Sequence, residues 1–433
     1  MMNRDRVVKM VSVLSVSAML VAGLIISCSG GKSSDNGPGT VTYTDATQAT
    51  GGASSAKASV DLSSSISDAA SGLSSFSNSS GYSAPGKGGA TTTDTSSIAS
   101  IDPRLKKLVD GMMASMKTPA VTSAVSKARA SKAKVSMSPG TQGHWTFSGV
   151  CSGGTGTFNI SADDTSDIGG AYVAYTVNIY FDSCRDAIDP ITGLYSVTTG
   201  TIHAYDKKMA GNTANTRNAT IDLTAQKYNI SDALMATDVA KGTFNSNDSG
   251  TSTSRTGRNT ANGSFSEHDV AMSETGTFYF TNLASDWTWD VDLAGVETVA
   301  NTGNGNFGLL LAPDYGQSLR LNIGLSNLIN KAQKNVDLSW DQWVNGSITI
   351  GWTPDLSALG CKSGRITFTT SDLTPLHFAT LDSTCPSSGT LQVNNATISY
   401  YDPNIDVNNI VITVGTSSAS VPDCTGLQGG ICS

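Results

Sequence analysis

The chain is poor in charged residues and has no excess of basic ones. Of its 433 residues, 14% are charged and 38% are hydrophobic, whereas soluble domains usually reach about 25% and about 45–50%. It carries 27 basic and 35 acidic side chains, a formal net charge of -8. A protein that binds the phosphate backbone needs basic patches to displace counterions, so this composition argues against a nucleic-acid partner.

Sequence patterns of common catalytic centres are also missing. The chain contains no G-x-S-x-G turn, no H-E-x-x-H, no P-loop and no G-x-G-x-x-G. Glutamate is rare, and the aspartates are scattered among turn-forming residues, where their carboxylates usually accept hydrogen bonds from backbone amides. We therefore predict a protein that is not an enzyme and has no catalytic residues. The histidines are far apart in the chain: His144, His203, His268 and His377.

The first 28 residues have the layout of an export signal. Basic residues precede an apolar run from Met10 to Ile26, and the run ends in Ile-Ile-Ser before Cys28. This segment resembles the lipobox of bacterial lipoproteins, in which signal peptidase II cleaves before a cysteine that carries a diacylglycerol. The resemblance implies that residues 1–27 are removed and that Cys28 is the lipidation site.

The resemblance also implies a place in the cell. Two or more acyl chains give stable anchoring, so the membrane is the expected partner through the N-terminal acyl groups. In this family an aspartate after the lipidated cysteine often marks retention in the inner membrane, and the residue here is Ser29, which implies the outer membrane. The alternative is an uncleaved transmembrane helix, because the apolar run is just within the roughly 17–25 residues that span a bilayer.

Six cysteines remain after Cys28, and an exported chain would oxidise them to disulfides. Their order along the chain favours three local pairs, although other connectivities stay open. A zinc site would need closely spaced ligand pairs, and the sequence has none. The favoured pairs are Cys151 with Cys184, Cys361 with Cys385, and Cys424 with Cys432.

Two segments precede the main folded part. Residues 28–101 are dominated by Ser, Gly, Ala and Thr, which predicts a disordered, flexible tether. In residues 102–134 the apolar side chains recur at helical spacing, and eight basic residues stand against two acidic ones. We predict a short basic amphipathic helix with a linker there. It would pack on the acidic domain that follows; the alternatives are anionic lipid headgroups or a partner protein.

Residues 135–433 alternate apolar and polar side chains in short segments bounded by Gly, Asn, Asp and Ser. The alternation is clear in 173–181 and 319–325, and it predicts half-buried antiparallel strands. The expected fold is mainly β, an antiparallel β-sandwich or barrel with disulfide-bridged hairpins. The dipeptides at Asn262–Gly263 and Asn345–Gly346 predict tight turns.

Two cysteine-bounded stretches, 151–184 and 361–385, share an order of features. Each begins with a cysteine and a glycine, continues through Thr-Phe, and ends near Asp-Ser and a second cysteine. This pattern predicts two related disulfide-bridged hairpins, one in each half of the β domain. Chance similarity between stretches rich in Ser, Thr and Gly is the alternative.

Two groups of residues are candidates for ligand binding. Asp402, Asn404 and Asp406 form a D-x-N-x-D run of oxygen ligands of the kind that calcium prefers, and no other cofactor is predicted. Trp340 and Trp343 are separated by an odd number of positions, so they cannot both point inward on a regular strand. The exposed one would stack its ring on a sugar.

The predicted function is a non-catalytic binding, adhesion or structural role of a lipid-anchored cell-envelope protein, with a glycan or an envelope protein as partner. Two alternatives come from other classes. One is a hydrolase that acts on polysaccharides with a pair of aspartates. The other is a β-barrel lipoprotein that carries an apolar ligand.

Overall fold

The computed structural model describes residues 39–46, 49, 143–151, 153–355, 363–379 and 385–424. The predicted signal peptide, most of the predicted tether and the predicted helix lie outside these residues, as do Cys28, Cys361 and Cys432. Within the described ranges, no helix has the length and apolar character needed to cross a membrane.

Seventeen strands make up the described domain, and the prediction of a mainly antiparallel β fold is confirmed. From β1 to β12 each strand pairs antiparallel with the next, and β12 then pairs with β14, which begins a meander to β17. The short strand β13 pairs with β11. The sheet is open, with β1 and β17 at its edges. The strands are β1 (Gly143–Val150), β2 (Thr157–Asp164), β3 (Tyr172–Arg185), β4 (Tyr195–Met209), β5 (Ala214–Tyr228), β6 (Leu234–Gly250), β7 (Ser254–Asp269), β8 (Glu274–Val291), β9 (Glu297–Pro313), β10 (Leu319–Lys334), β11 (Trp340–Thr353), β12 (Gly364–Thr370), β13 (Leu376–Phe378), β14 (Gly389–Val393), β15 (Ala396–Tyr400), β16 (Ile410–Val414) and β17 (Ser417–Val421).

Alternation along the strands produces two different faces, because successive side chains point to opposite sides of a sheet. On the face that we call inner, Phe, Ile and Leu side chains from β2 to β16 pack into one hydrophobic cluster. Phe278 and Phe307 at its centre are 0% exposed. The opposite, outer face carries mainly Thr, Asn, Ser and charged residues, so it is the face that meets solvent.

A line of β-bulges crosses the sheet from β7 to β11. Asn282 and Asn327 adopt left-handed backbone conformations at bulges in β8 and β10. On β11, Gly346 has a φ of 125°, and a side chain there would collide with the carbonyl of Asn327. Bulges bend the strands that carry them. On one side of this line the inner face is apolar, and on the other side it is more polar.

The bulge line corrects two of the predicted turns. Asn262–Gly263 and Asn345–Gly346 lie inside β7 and β11 rather than between strands. The Asn262 side chain accepts a hydrogen bond from the backbone amide of Asn282 at 2.5 Å, so it serves the bulge on the neighbouring strand. Each Asn-Gly pair therefore lies opposite a bulge on the neighbouring strand, and its glycine avoids a collision with a backbone carbonyl, that of Lys241 for Gly263 and that of Asn327 for Gly346.

A second correction concerns the disulfides. Cys151 is bonded to Cys184, as predicted. Cys385 is bonded to Cys424, which contradicts both of the predicted local pairs 361–385 and 424–432. The second predicted hairpin is also wrong, because β12 pairs with β11 and β14 rather than with β13. The bond thus joins the start of β14 to the end of β17, across the whole C-terminal meander.

Part of the predicted tether lies against the domain. Residues 39–46 and Ala49, which we call the strap, run beside β12 and the turn between β14 and β15. Thr40 forms a parallel bridge with Arg365. Tyr43 is 2% exposed and, with Ala46 and Ala49, belongs to the hydrophobic cluster. The reason is local composition, since these are apolar side chains within an otherwise polar stretch.

Candidate functional site

The outer face carries a concavity of about 510 Å³ on the polar side of the bulge line. Five adjacent strands, β5 to β9, form its walls and floor. Side chains that are paired directly across antiparallel strands share a face, and most of the lining residues fall in two such outer rows. The two rows are Ala214, Ser249, Thr256, Thr288 and Ala300, and Thr216, Asn247, Arg258, Asp286 and Thr302.

The chemistry of the concavity is that of hydroxyl and amide groups. Threonine, serine and asparagine side chains can each donate and accept hydrogen bonds. The charged groups of the two outer rows are the guanidinium of Arg258 and the carboxylate of Asp286, 3.3 Å apart, with both side chains about half exposed. Because the two charges cancel, the pair presents hydrogen-bond donors and acceptors to a ligand but adds little net charge to the concavity.

A buried polar cluster supports the concavity from the inner face. Asp248 accepts hydrogen bonds from the guanidinium of Arg255 and, at 3.0 Å, from the side-chain amide of Asn215. Arg255 also donates to the backbone carbonyl of Asn212 at 2.7 Å. Because the charges of Arg255 and Asp248 neutralise one another away from water, removal of either would leave an unpaired buried charge. Asn215 and Asp248 themselves line the concavity.

Two tryptophans of β8 lie at the same end of the inner face. Trp287 is half-buried and lines the concavity, and Trp289 is buried. The indole nitrogen of Trp289 donates to the carboxylate of Glu297 at 2.8 Å, so its polar end has a partner. Beyond them, Leu293 is fully exposed in the turn after β8.

The two candidate stacking residues lie on opposite faces of β11. Trp340 is buried, on the face that carries Val344. Trp343 is half-buried on the outer face, and the ammonium group of Lys331 lies 4.8 Å from the centre of its ring. Trp343 continues an outer row of the concavity, because Ala300 pairs with Lys331 and Lys331 pairs with Trp343.

The candidate calcium ligands lie in a loop between β15 and β16. The carboxylate of Asp402 accepts the backbone amide of Asn404 at 2.8 Å, and Asp406 accepts from the amide of Asn408 and the side chain of Asn409. These hydrogen bonds hold the pKa of Asp406 below its usual value, the bond from Asn409 most of all. Among the described residues, no group of three His, Cys, Asp or Glu is arranged to hold a metal ion. The calcium site stays a prediction.

A buried charge cluster lies at the opposite end of the inner face. The ammonium group of Lys227 lies 2.8 Å from Asp238 and 3.3 Å from Glu267, which are directly opposite each other on β6 and β7. Burial raises the pKa of both carboxyl groups. Neither carboxylate lines the concavity, so this cluster acts on the stability of the fold rather than on the outer face.

Sequence reasoning missed the concavity and both buried clusters. The available signal was the alternation along each strand, in which the polar residues Thr216, Asn247 and Arg258 follow and precede more buried neighbours. Which polar residues meet depends on strand register, and register is set by pairing across the whole sheet. No family model matches the chain, and no curated protein and no solved structure is significantly similar to it.

Proposed function

We propose that this protein is a lipid-anchored protein of the cell envelope that binds a neutral glycan in the outer-face concavity without transforming it. The observation that carries the proposal is the concavity itself, with its two outer rows of hydroxyl and amide side chains around the Arg258–Asp286 pair. Attachment to the membrane through Cys28 rests on the resemblance of residues 1–28 to lipoprotein signals.

The chemistry of the lining favours a sugar chain as the ligand. Each sugar ring presents several hydroxyl groups, which need partners that both donate and accept hydrogen bonds. The outer rows offer such partners at the spacing of adjacent strands, about 4.8 Å. The side chains stand on paired strands rather than on loops, so little conformational entropy is lost on binding. Trp343, two strands beyond Ala300, adds a ring on which a sugar can stack.

Binding is favoured over hydrolysis by the state of the carboxylates at this site. A glycosidase needs two carboxyl groups that flank one bond, about 5–9.5 Å apart, with one held protonated. Two aspartates are among the lining residues: Asp286 on the outer face, and Asp248, whose carboxylate is buried on the inner face; each carboxylate lies beside an arginine. Transport of an apolar ligand receives less support, since Phe278 and Phe307 occupy the middle of the inner face.

A binding experiment on the mature chain tests the proposal. We would print neutral and acidic polysaccharides on one array, and compare the wild type with Arg258→Ala and with Asn247→Ala. We expect binding to neutral polysaccharides, weakened about fivefold or more by either change, because each removes hydrogen bonds that contribute about 1 kcal/mol or more. Preference for the acidic set, or capture only of envelope proteins, would contradict the neutral-glycan assignment.

The outer face offers a matched control. Lys241 and Asp222 form an ion pair 3.2 Å apart on β6 and β5, about as exposed as the Arg258–Asp286 pair, and they do not line the concavity. Lys241→Ala therefore removes the same kind of interaction at a distance from the site. Equal loss of binding in Lys241→Ala and Arg258→Ala would show that the concavity is not where the glycan binds.

A further inference from the structure

Specific side-chain hydrogen bonds hold the strap against the domain. The side chain of Asn395 forms two hydrogen bonds with the backbone of Tyr43, accepting at 3.0 Å and donating at 2.9 Å. Asn394 donates to the carbonyl of Val41 at 2.6 Å. Gly364 leaves room for the strap, because a side chain there would collide with the carbonyl of Gly39.

The strap also contributes to the hydrophobic cluster. Tyr43, Ala46 and Ala49 belong to the same hydrophobic cluster as the C-terminal meander, whose strand β16 is buried along most of its length. Burial raises the pKa of the Tyr43 hydroxyl to about 12. The backbone amide of Ala46 donates to the hydroxyl of Ser417 at the start of β17. The chain is therefore fixed to the domain at several points within ten residues.

We propose that the strap, rather than β1, is the point at which the membrane anchor joins the folded domain, so that the strap end of the domain faces the bilayer. The proposal rests on the proposed lipidation of Cys28. Gly39 lies eleven positions after Cys28, and eleven residues span at most about 40 Å whatever their conformation. An anchor that ended at Gly143 would permit a separation several times larger.

The strap contacts also imply a different role for residues 50–142, which separate the strap from β1. Because Ala49 and Gly143 both lie on the domain, residues 50–142 connect two points of the same domain. The Ser/Gly-rich stretch and the basic stretch 102–134 are then an insertion carried by the domain, and they do not bear its connection to the membrane. A cut within this insertion should leave the β domain attached, through the strap, to the lipidated N-terminus.

Site-specific proteolysis tests this directly. A protease recognition sequence is inserted after Gly89 in one form of the full lipidated chain and after Ser34 in another. Membranes carrying each form are treated with the protease and sedimented. We expect the β domain to sediment after cleavage at the Gly89 site and to be released after cleavage at the Ser34 site. Release after cleavage at the Gly89 site, with the native strap, would overturn the proposal.

Variants of the strap contacts make the test specific. The double variant Tyr43→Ser with Asn395→Ala should release the β domain after cleavage at the Gly89 site. Asn408→Ala, an exposed asparagine away from the strap, should behave as the wild type. Circular dichroism and the Cys385–Cys424 bond report whether each variant is folded. Retention of the double variant, folded and fully cleaved, would show that something other than the strap holds the domain.

A soluble form separates failure of the anchor from failure of the strap. The chain from Ser29, without a lipidation site, is cleaved at the inserted Gly89 site and passed over a gel-filtration column. We expect the fragment 29–89 to elute with the β domain, and to separate from it in the double variant. Co-elution without membrane attachment of the full chain would refute lipidation alone, whereas separation of the native-strap fragments would refute the strap's role.

Discussion

The indole ring of Trp287 on β8 lies directly over Gly257 on β7. The two residues are paired across the strands, and a β-carbon at position 257 would lie 2.5 Å from the ring. Both residues line the concavity. The glycine is therefore required by the space that the tryptophan occupies on the inner face, next to Arg258 and Asp286 of the outer row of the candidate glycan site.

Gly257→Ala should displace the Trp287 ring. We expect a loss of about 1–3 kcal/mol in the free energy of unfolding, the usual cost of overpacking, together with weaker glycan binding. Urea denaturation and titration with the bound polysaccharide measure the two effects. Gly351→Ala on β11 is the control, because a β-carbon there meets nothing within 4 Å. Unchanged stability in Gly257→Ala would mean that the ring moves at no cost.

Lys227→Met should destabilise the fold strongly, because it leaves Asp238 and Glu267 buried together without their cation. Losing one partner of a buried ion pair typically costs about 3–5 kcal/mol. Urea denaturation at neutral pH gives the value. The matched control is Lys241→Met, whose exposed pair with Asp222 should contribute about 1 kcal/mol or less. Similar losses in the two variants would contradict a buried, solvent-excluded cluster.

The same cluster predicts a pH dependence. Burial raises the pKa of Glu267 above the value of about 4.3 that it has in the unfolded chain. A carboxyl group of this kind favours the folded state at acid pH, and its contribution is lost as the pH rises through the folded-state pKa. Glu267→Gln cannot ionise, so its stability relative to the wild type should increase as the pH rises above about 4. Unfolding of both proteins across this range measures the difference; a difference independent of pH would refute the assignment.

The two tryptophans of β11 should separate stability from binding. Trp340→Ala removes a buried ring and should cost about 3–5 kcal/mol of unfolding free energy. Trp343→Ala should cost clearly less, since its ring is half-buried under Lys331, but should weaken polysaccharide binding. Denaturation and glycan titration on the same two variants give the comparison. Weaker binding by folded Trp340→Ala, with Trp343→Ala unaffected, would reverse the assignment of the recognition residue.

The observed disulfides predict the partner of the remaining pair. With Cys151–Cys184 and Cys385–Cys424 formed, and Cys28 assigned to the proposed lipid anchor, Cys361 and Cys432 remain. We expect a bond between these two, which peptide mapping of the non-reduced protein would detect. Two free thiols at these positions would contradict it. Replacing Cys385 and Cys424 together by serine should cost about 4 kcal/mol, given the length of the closed loop.

The alternation of apolar and polar residues was sufficient to predict antiparallel strands, and it did so for β3 and β10. Alternation is a local property: a residue's parity along its own strand already determines which face it occupies. The same locality explains the misread Asn-Gly pairs. An Asn-Gly pair is typical of a turn, and only the neighbouring strands show that each of these pairs lies opposite a bulge.

The partner of Cys385, the attachment of the strap and the concavity were decided by tertiary structure. Each depends on which distant segments lie side by side: Cys385 meets Cys424 because β14 to β17 form a meander, and Tyr43 meets Asn395 across some 350 residues of chain. The outer rows exist only once β5 to β9 are in register. Composition and spacing determine the chemistry that each residue offers, whereas strand order and register determine which residues lie next to it.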